Sequence, residues 1–500
     1  MIERRALPAD ADVIVVGAGP SGMSAASELA DRGLSVIVLD MGAAPGGQIF
    51  RGLESNMAEL DLSGELLAAL GSSYTSGFEL VQRFRAASTI DYRPLTTVWE
   101  VRSDGTIGWL SNGSAGYLRA RRVLLANGAM ERPVPFEGWT LPGVMTAGAV
   151  QTLLKAGRMK PTGRIVVAGT GPLVALLIEQ LRRLGVKPAL VARTDNFRDS
   201  LKASRHLTLR AIPALAKGVG WLARARISGI PSVSGVSKLQ ADGQDHVQFV
   251  HYWIGDKRHT CACDLLVVHD GIVPSVDLAL SAGLALEWDR ANASWRPKTS
   301  PSGASAHMEE NDNSRIRVTG DARRIGGADA AIAHGRLAAL AIASDLQGTS
   351  DGSIPAARMD VDRSLAARPF LDAAFPPGLS AHLPDDEAIV CRCEELSAGA
   401  LRAKIRSGAT DIDLLRGETR CGMGPCQGRS CMITAARLIA EVGTKASVPL
   451  LTTFRARPPA RPIPLGALAQ LTGLDPEAAK IESLEDKPDM GNQAAGAADE

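Results

Sequence analysis

The chain has 500 residues, too many for one hydrophobic core, so two to four domains are expected. Its 55 basic and 54 acidic residues leave a net charge of +1, which excludes a global field that would gather nucleic acid or an anionic membrane. Apolar residues make up 45% and aromatics 4%, with 51 glycines, the balance of an α/β enzyme with tight strand-to-helix turns.

The first residues, MIERRALPADADVIVVGAGP, hold too short an apolar run for a signal peptide, and no apolar run approaches the length of an integral membrane segment. The seven cysteines are an odd number crowded toward the C-terminus. That distribution speaks against a disulfide framework and for a reducing, cytoplasmic location.

Asp12 to Val16 reads as a buried strand, followed by Gly17-Ala18-Gly19-Pro20-Ser21-Gly22, a helical run, and a second strand from Ser35 to Leu39 that ends at Asp40. Each part has a mechanical reason. Gly17 permits the tight turn, Gly19 lets a pyrophosphate approach the backbone, and Gly22 lets helix and strand pack closely, while Asp40 accepts from a ribose hydroxyl. The phosphates then rest on unpaired amides at the helix N-terminus. Pro45-Gly46-Gly47-Gln48 is a turn that can bring amides and the Gln48 side chain to the same ligand, and a strand from Arg122 to Ala126 ends at Asn127-Gly128.

About 150 residues on, the pattern repeats: a strand from Arg164 to Ala168, Gly169-Thr170-Gly171-Pro172-Leu173-Val174, a helix, and a strand from Pro188 to Ala192. This second fingerprint is incomplete for NAD(P), because Val174 holds the third glycine position and the strand ends in Arg193 rather than an acid. Arg193 suits a 2′-phosphate or a solvated strand end. Arg198 to Arg226 reads as an ordinary basic surface helix, with an amphipathic insert that touches a partner as the alternative, and Cys261 and Cys263 as small core or surface residues. No cysteine precedes Cys261, so no dithiol can stand beside the first site for disulfide exchange. A strand from Ile316 to Thr319 leads to Gly320-Asp321 and a long helix.

Residues 348–387 are polar and proline-rich and read as a linker. Beyond it come Cys391, Cys393, Cys421, Cys426 and Cys431. Iron-sulfur centres need four thiolates; the Cys-x-Cys pair supplies two, and three cysteines offer themselves for the other two places. Cys431 opens a helix and Gly424 to Gly428 forms a loop able to aim amides at sulfur. Zinc is the alternative occupant of such thiolates. From about Glu485 the chain is an acidic, small-residue tail expected to be disordered.

The glycine motifs, the PGGQ turn and Gly320-Asp321 resemble the flavoprotein disulfide reductase superfamily, with Asn127 where that family usually carries Thr. CRCEE with GMGPCQGRSC resembles the bacterioferritin-associated-ferredoxin type of [2Fe-2S] domain. Nearly the whole chain, including ERPVPFEGWTLPGVMTAGAVQ, resembles the α (A) subunits of opine oxidase, hydrogen cyanide synthase and D-hydroxyproline or proline dehydrogenase complexes.

The resemblance implies an α/β fold with an FAD domain (1–150 and 276–347) interrupted by an NAD(P)-like Rossmann domain (151–275). The linker follows, then a mainly helical [2Fe-2S] domain (388–450) and a C-terminal extension (451–500). It implies FAD on Gly17, Gly19, Pro20, Ser21, Gly22, Asp40, Gly47, Gln48, Gly128, Gly320 and Asp321, with Asp321 accepting from the ribityl chain. It places the cluster on Cys391, Cys393, Cys426 and Cys431, and an FMN at a subunit interface in some relatives. It implies a hetero-oligomer in which an FAD-dependent amine-oxidising, D-amino-acid-oxidase-like β subunit, with a small γ subunit in some complexes, oxidises the substrate. This chain then carries the electrons and needs no catalytic residue of its own. The competing expectations are a self-contained NAD(P)H:acceptor reductase and a structural subunit holding ATP in the first site.

Overall fold

The computed structural model describes residues 9–304, 315–442, 453–469 and 471. Both expected Rossmann units are present. In the first, the apolar strand Ala11–Val16 lies parallel to Val36–Leu39 on one side and to the C-terminal half of the long strand Ser114–Leu125 on the other. Ile90–Arg93 extends one edge, and Ile316–Val318, nearly two hundred residues after Leu125, pairs on the other side with Ser114–Leu125, both parallel. Strands buried on both faces read as continuous apolar runs, which is why Val13, Ile14, Val15, Val123, Leu124 and Leu125 are fully buried. The N-terminal half of Ser114–Leu125 turns away to pair antiparallel with Thr106–Ser111, which pairs in turn with Thr96–Val101.

The helix Pro20–Ala30 packs along the 20-residue helix Ala328–Gln347. Their crossing is close because Gly335 carries no side chain: a Cβ there would fall 2.2 Å from the carbonyl oxygen of Ser21.

The second unit is a parallel sheet ordered Ser232–Val233, Leu190–Arg193, Ile165–Gly169, Leu265–His269, Val144–Thr146. Its edge strand Val144–Thr146 and the helix Ala147–Gly157 thus begin before the boundary expected at residue 151. Val174 is buried in the same core as Val167, Val191 and Val267, so its branched side chain is accommodated where a glycine was expected. An antiparallel sheet of Val236–Asp242, Phe249–Ile254 and Lys257–Ala262 follows. Cys263 is buried in the core that this sheet shares, and burial pushes its thiol up to about 12.

The expected linker is instead a pair of docked helices. Ile354, Ala357 and Val361 recur on one face of the helix Ile354–Ser364; Ala357 and Val361 join Leu337 and Leu340 of Ala328–Gln347 in a small core, with Ile354 packed against it. The helix Arg368–Ala374 packs against Phe197–Ala203, the first part of the basic stretch. The remainder of that stretch is the helix Ile212–Ile227, tied to the body through Arg224 to Glu179 and through Lys217 to the hydroxyl of Ser73.

The cysteine domain is a strand pair, Ile389–Cys391 with Leu396–Ser397, and three helices, Ala398–Arg406, Ile412–Thr419 and Met432–Val442. Ser397 and Asp411 cap two of them by accepting from the amides of Ala400 and Leu414. Its core runs without a break into Val276 and Trp295 of the preceding body. The acidic tail lies outside the described residues.

Candidate functional site

A cleft of about 650 Å³ runs from the first glycine motif to the seam between the two Rossmann units. Gly17 adopts φ +106°, and a Cβ there would sit 2.6 Å from the Ala126 carbonyl oxygen; one on Gly22 would fall 1.8 Å from that of Gly17. The helix begins at Pro20 with Gly19 as its cap and no side chain on the free amides of its first turn, which leaves them for a ligand anion. Gly47, at φ +60°, presses on Gly19, bringing the PGGQ turn and Gln48 to the same wall.

Asp40 and Asp321 both line the cleft. Burial pushes each carboxyl above its usual range, against amides that donate to it: Gly42 to Asp40 Oδ1 at 3.1 Å, and Gly326 and Gly327 to Asp321 Oδ1 at 2.8 and 3.2 Å. Gly320, at φ +63°, leaves no room for a Cβ beside Ser21. The Ser21 hydroxyl is engaged with Thr319 Oγ1 at 2.9 Å, so that residue fastens strand to helix. Gly128 is left-handed at φ +69°, with its carbonyl accepting from the Ser275 amide while Asn127 Nδ2 donates to the Ser275 carbonyl. Glycines that admit no side chain, an uncapped helix start and two carboxylates along one cleft fit a flavin dinucleotide.

The second nucleotide crevice is built differently. Gly169 approaches His269 so closely that a Cβ would fall 1.8 Å from its carbonyl oxygen. Arg193 is paired with Asp195, which also accepts from Thr170 Oγ1, so the strand-end cation is not free. The turn after Arg368–Ala374 lies across the strand ends: the Asp270 carboxylate accepts the amides of Gly378, Leu379 and Ser380 at 2.8 to 2.9 Å. Gly378 abuts Thr194, and Phe375 stands over Gly171.

The five C-terminal cysteines converge. The sulfurs of Cys391, Cys421 and Cys431 lie within 4.8 Å of one another and are buried. Cys391 is drawn down to about 2, first by hydrogen bonds from the Cys421 and Cys431 thiols and then by the amides of Gly422 and Glu394. Those two thiols are correspondingly raised, Cys421 to about 12. Cys393, exposed, and Cys426, half-buried, form a second group in mutual hydrogen-bond contact. Gly424 has no space for a side chain, since a Cβ would fall 2.2 Å from Cys393 Cβ. Two sulfur groups facing a glycine loop fit a thiolate-bound metal centre. Cys421, one of three candidates by spacing, stands with Cys391 and Cys431.

Several lining residues escape the motifs: Lys155 and Gln151 on Ala147–Gly157, Gln180, Arg368 and Arg461. The available signal was a lysine at i+4 from Gln151 on the buried face of an otherwise apolar helix.

The cleft and the cysteine loop are joined. Ser275, tied to Asn127 and Gly128 in the cleft, is followed by Val276 and Asp277, which border a small cavity with Gln427, Gly428 and Arg429 of the cysteine loop. Trp139 Nε1 donates to the Ile389 carbonyl at 2.7 Å beneath the Arg392 guanidinium.

Residues 11–306 match the family model of pyridine nucleotide-disulphide oxidoreductases, and residues 386–471 match the sarcosine oxidase A3 domain. The chain is 38% identical over 474 residues to the opine oxidase A subunit of Agrobacterium tumefaciens (strain Ach5), with 92% of each chain covered. It is 30% identical over 482 residues to the HcnB subunit of hydrogen cyanide synthase from Pseudomonas protegens, covering 91% of this chain and 96% of that one. Among solved structures, L-proline dehydrogenase from P. horikoshii shares the fold, with a TM-score of 0.66 at 20% identity over 92% of this chain and 79% of that one. The chain is an oxidoreductase subunit of the pyridine nucleotide-disulphide oxidoreductase family, in the group that holds the A subunits of opine oxidase and HcnB.

Proposed function

We propose that this chain is the electron-transfer subunit of a hetero-oligomeric dehydrogenase for an opine or related secondary-amine amino acid. Substrate oxidation occurs on a partner amine-oxidising flavoprotein subunit. The observation that carries this reading is the joining of a dinucleotide cleft to a cysteine cradle through the Ser275–Asp277 turn. The names of the relatives, subunits of opine oxidase and hydrogen cyanide synthase, support it.

In this reading the free amides of the helix that starts at Pro20 hold the pyrophosphate of FAD, Asp40 the adenosine ribose and Asp321 the ribityl chain. Cys391 with Cys431 and Cys393 with Cys426 give the two thiolate pairs of a [2Fe-2S] cluster, Cys421 being a fifth sulfur beside the first pair. When bound, the flavin supplies two-electron acceptance and the cluster one-electron carriage. Val276 and Phe454, buried in the core of the cysteine domain, would keep water from the cysteine loop.

The turn over the second crevice counts against direct use of NAD(P)H. The test is cofactor analysis of the purified full-length chain together with its Cys→Ser variants. Expected are FAD and about two irons per chain, iron lost in Cys393→Ser, Cys426→Ser and Cys431→Ser, and iron kept in Cys421→Ser. Zinc without iron would defeat the cluster assignment, and ATP in place of flavin would favour a structural subunit.

A further inference from the structure

Lys155 is 6% exposed, yet among the described residues its ammonium meets only neutral acceptors: the Gln48 carbonyl oxygen at 3.3 Å and Gln151 Oε1 at 3.4 Å. Gln151 is itself held, donating through Nε2 to Gln180 Oε1 at 2.9 Å. The Tyr74 ring lies 5.7 Å away, and the charge that acts on Lys155 is another cation, Arg51. A buried charge without a partner is unfavourable by itself, and it persists where a ligand brings the counter-charge. Lys155, Gln151 and Gln180 all line the dinucleotide cleft.

Their place along the cleft identifies the part of the ligand they face. Asp40 marks one end, with Thr96 donating its amide to the Asp40 carbonyl. The free amides of the helix that starts at Pro20 already serve the pyrophosphate. Lys155 stands on the helix Ala147–Gly157 of the second Rossmann unit and donates to the Gln48 carbonyl of the first, so it lies at the seam between the two units, with Gln151 and Gln180 beside it.

We infer that Lys155 meets the negative charge that the flavin ring acquires on reduction, with the Gln151–Gln180 pair holding the ammonium in position. The inference rests on the FAD reading above. The oxidised ring is uncharged; it takes two electrons and one proton and so gains one negative charge. A fixed cation beside it stabilises the reduced form over the oxidised form and raises the midpoint potential. Lys155 thus tunes the potential, and Gln151 with Gln180 are its positioning residues.

The test compares full-length wild type, Lys155→Met, Lys155→Gln and Lys155→Arg. Oxidised FAD affinity is measured by titration, and the midpoint potential by reduction with dithionite, water supplying the proton, in equilibrium with a reference dye. Expected for Met and Gln is nearly unchanged affinity for oxidised FAD and at least a tenfold loss of preference for reduced FAD, about 30 mV for a two-electron couple, with Arg restoring most of it. An unchanged potential overturns the inference. So does an equal weakening of both redox forms, which would assign Lys155 to the pyrophosphate. Failure of the wild-type chain to bind FAD is instead the failure of the cofactor reading. Met and Gln replace one buried group by two different ones, so misfolding of either leaves the other to decide.

Discussion

Lys155 has a signature that needs no cofactor. Burial, and then the Arg51 guanidinium, push its ammonium from 10.5 down to about 8. The folded chain therefore holds this proton less tightly than the unfolded chain. The sign follows: below pH 8 the penalty is fully present, and it is relieved as pH rises from 8 toward 10.5, where the unfolded chain still binds the proton and the folded chain does not. The Tyr74 hydroxyl, raised to about 12 by burial, stays neutral across that window. Thermal unfolding of FAD-free protein from pH 7 to 10.5 should show wild type gaining on Lys155→Met as pH rises. A constant difference between the two would mean that the ammonium is already compensated or solvated.

At the scale of elements, the segment between the two cofactor regions has more to do than connect them. One carboxylate, Asp270, takes three amides of the turn at Gly378 to Ser380, and hydrogen bonds to a charged group contribute about 1.5–3 kcal/mol apiece. Asp270→Ala should destabilise the protein by about 3 kcal/mol or more, read by denaturant unfolding, and should loosen the cover of the second crevice. Wild type mixed with NADPH should keep its flavin oxidised; rapid bleaching would show that the turn leaves the crevice open. The first Rossmann unit was legible in sequence because its glycines act on neighbours: Gly22 meets Gly17 five residues back. The closing turn was not, because its partner Asp270 lies 108 residues earlier and the Ile354, Ala357, Val361 stripe is diluted by prolines and charges. Cys421 illustrates the same limit. Spacing names three cysteines for two places, and only the path of the loop from residue 421 to 431 brings its sulfur beside Cys391 and Cys431.

For the whole molecule, the distance between the dinucleotide cleft and the cysteine loop depends on how the cysteine domain is seated, and the chain returns after that domain to fasten it. Phe454 lies against Gly422 and Gly428, Arg416 donates to the Arg455 carbonyl, and the Ala460 amide donates to the Trp99 carbonyl of the first unit. Arg461 then pairs with Asp277 Oδ2 at the turn that joins cleft and cysteine loop. Asp277 is 9% exposed and its Oδ1 has no hydrogen-bond partner among the described residues, so the guanidinium is its main compensation. Removing one partner of a buried pair is worse than removing both, because a lone charge stays behind. Arg461→Met should therefore destabilise by about 3 kcal/mol or more, and Arg461→Met with Asp277→Asn should recover much of that loss. If the pair seats the cysteine domain, the single variant should keep its iron and FAD while passing electrons from reduced flavin to the cluster more slowly, followed by rapid mixing, with the double variant faster again. An electron-transfer rate unchanged in the single variant would show that the Trp139 contact and the shared core around Val276 and Trp295 hold the domain unaided.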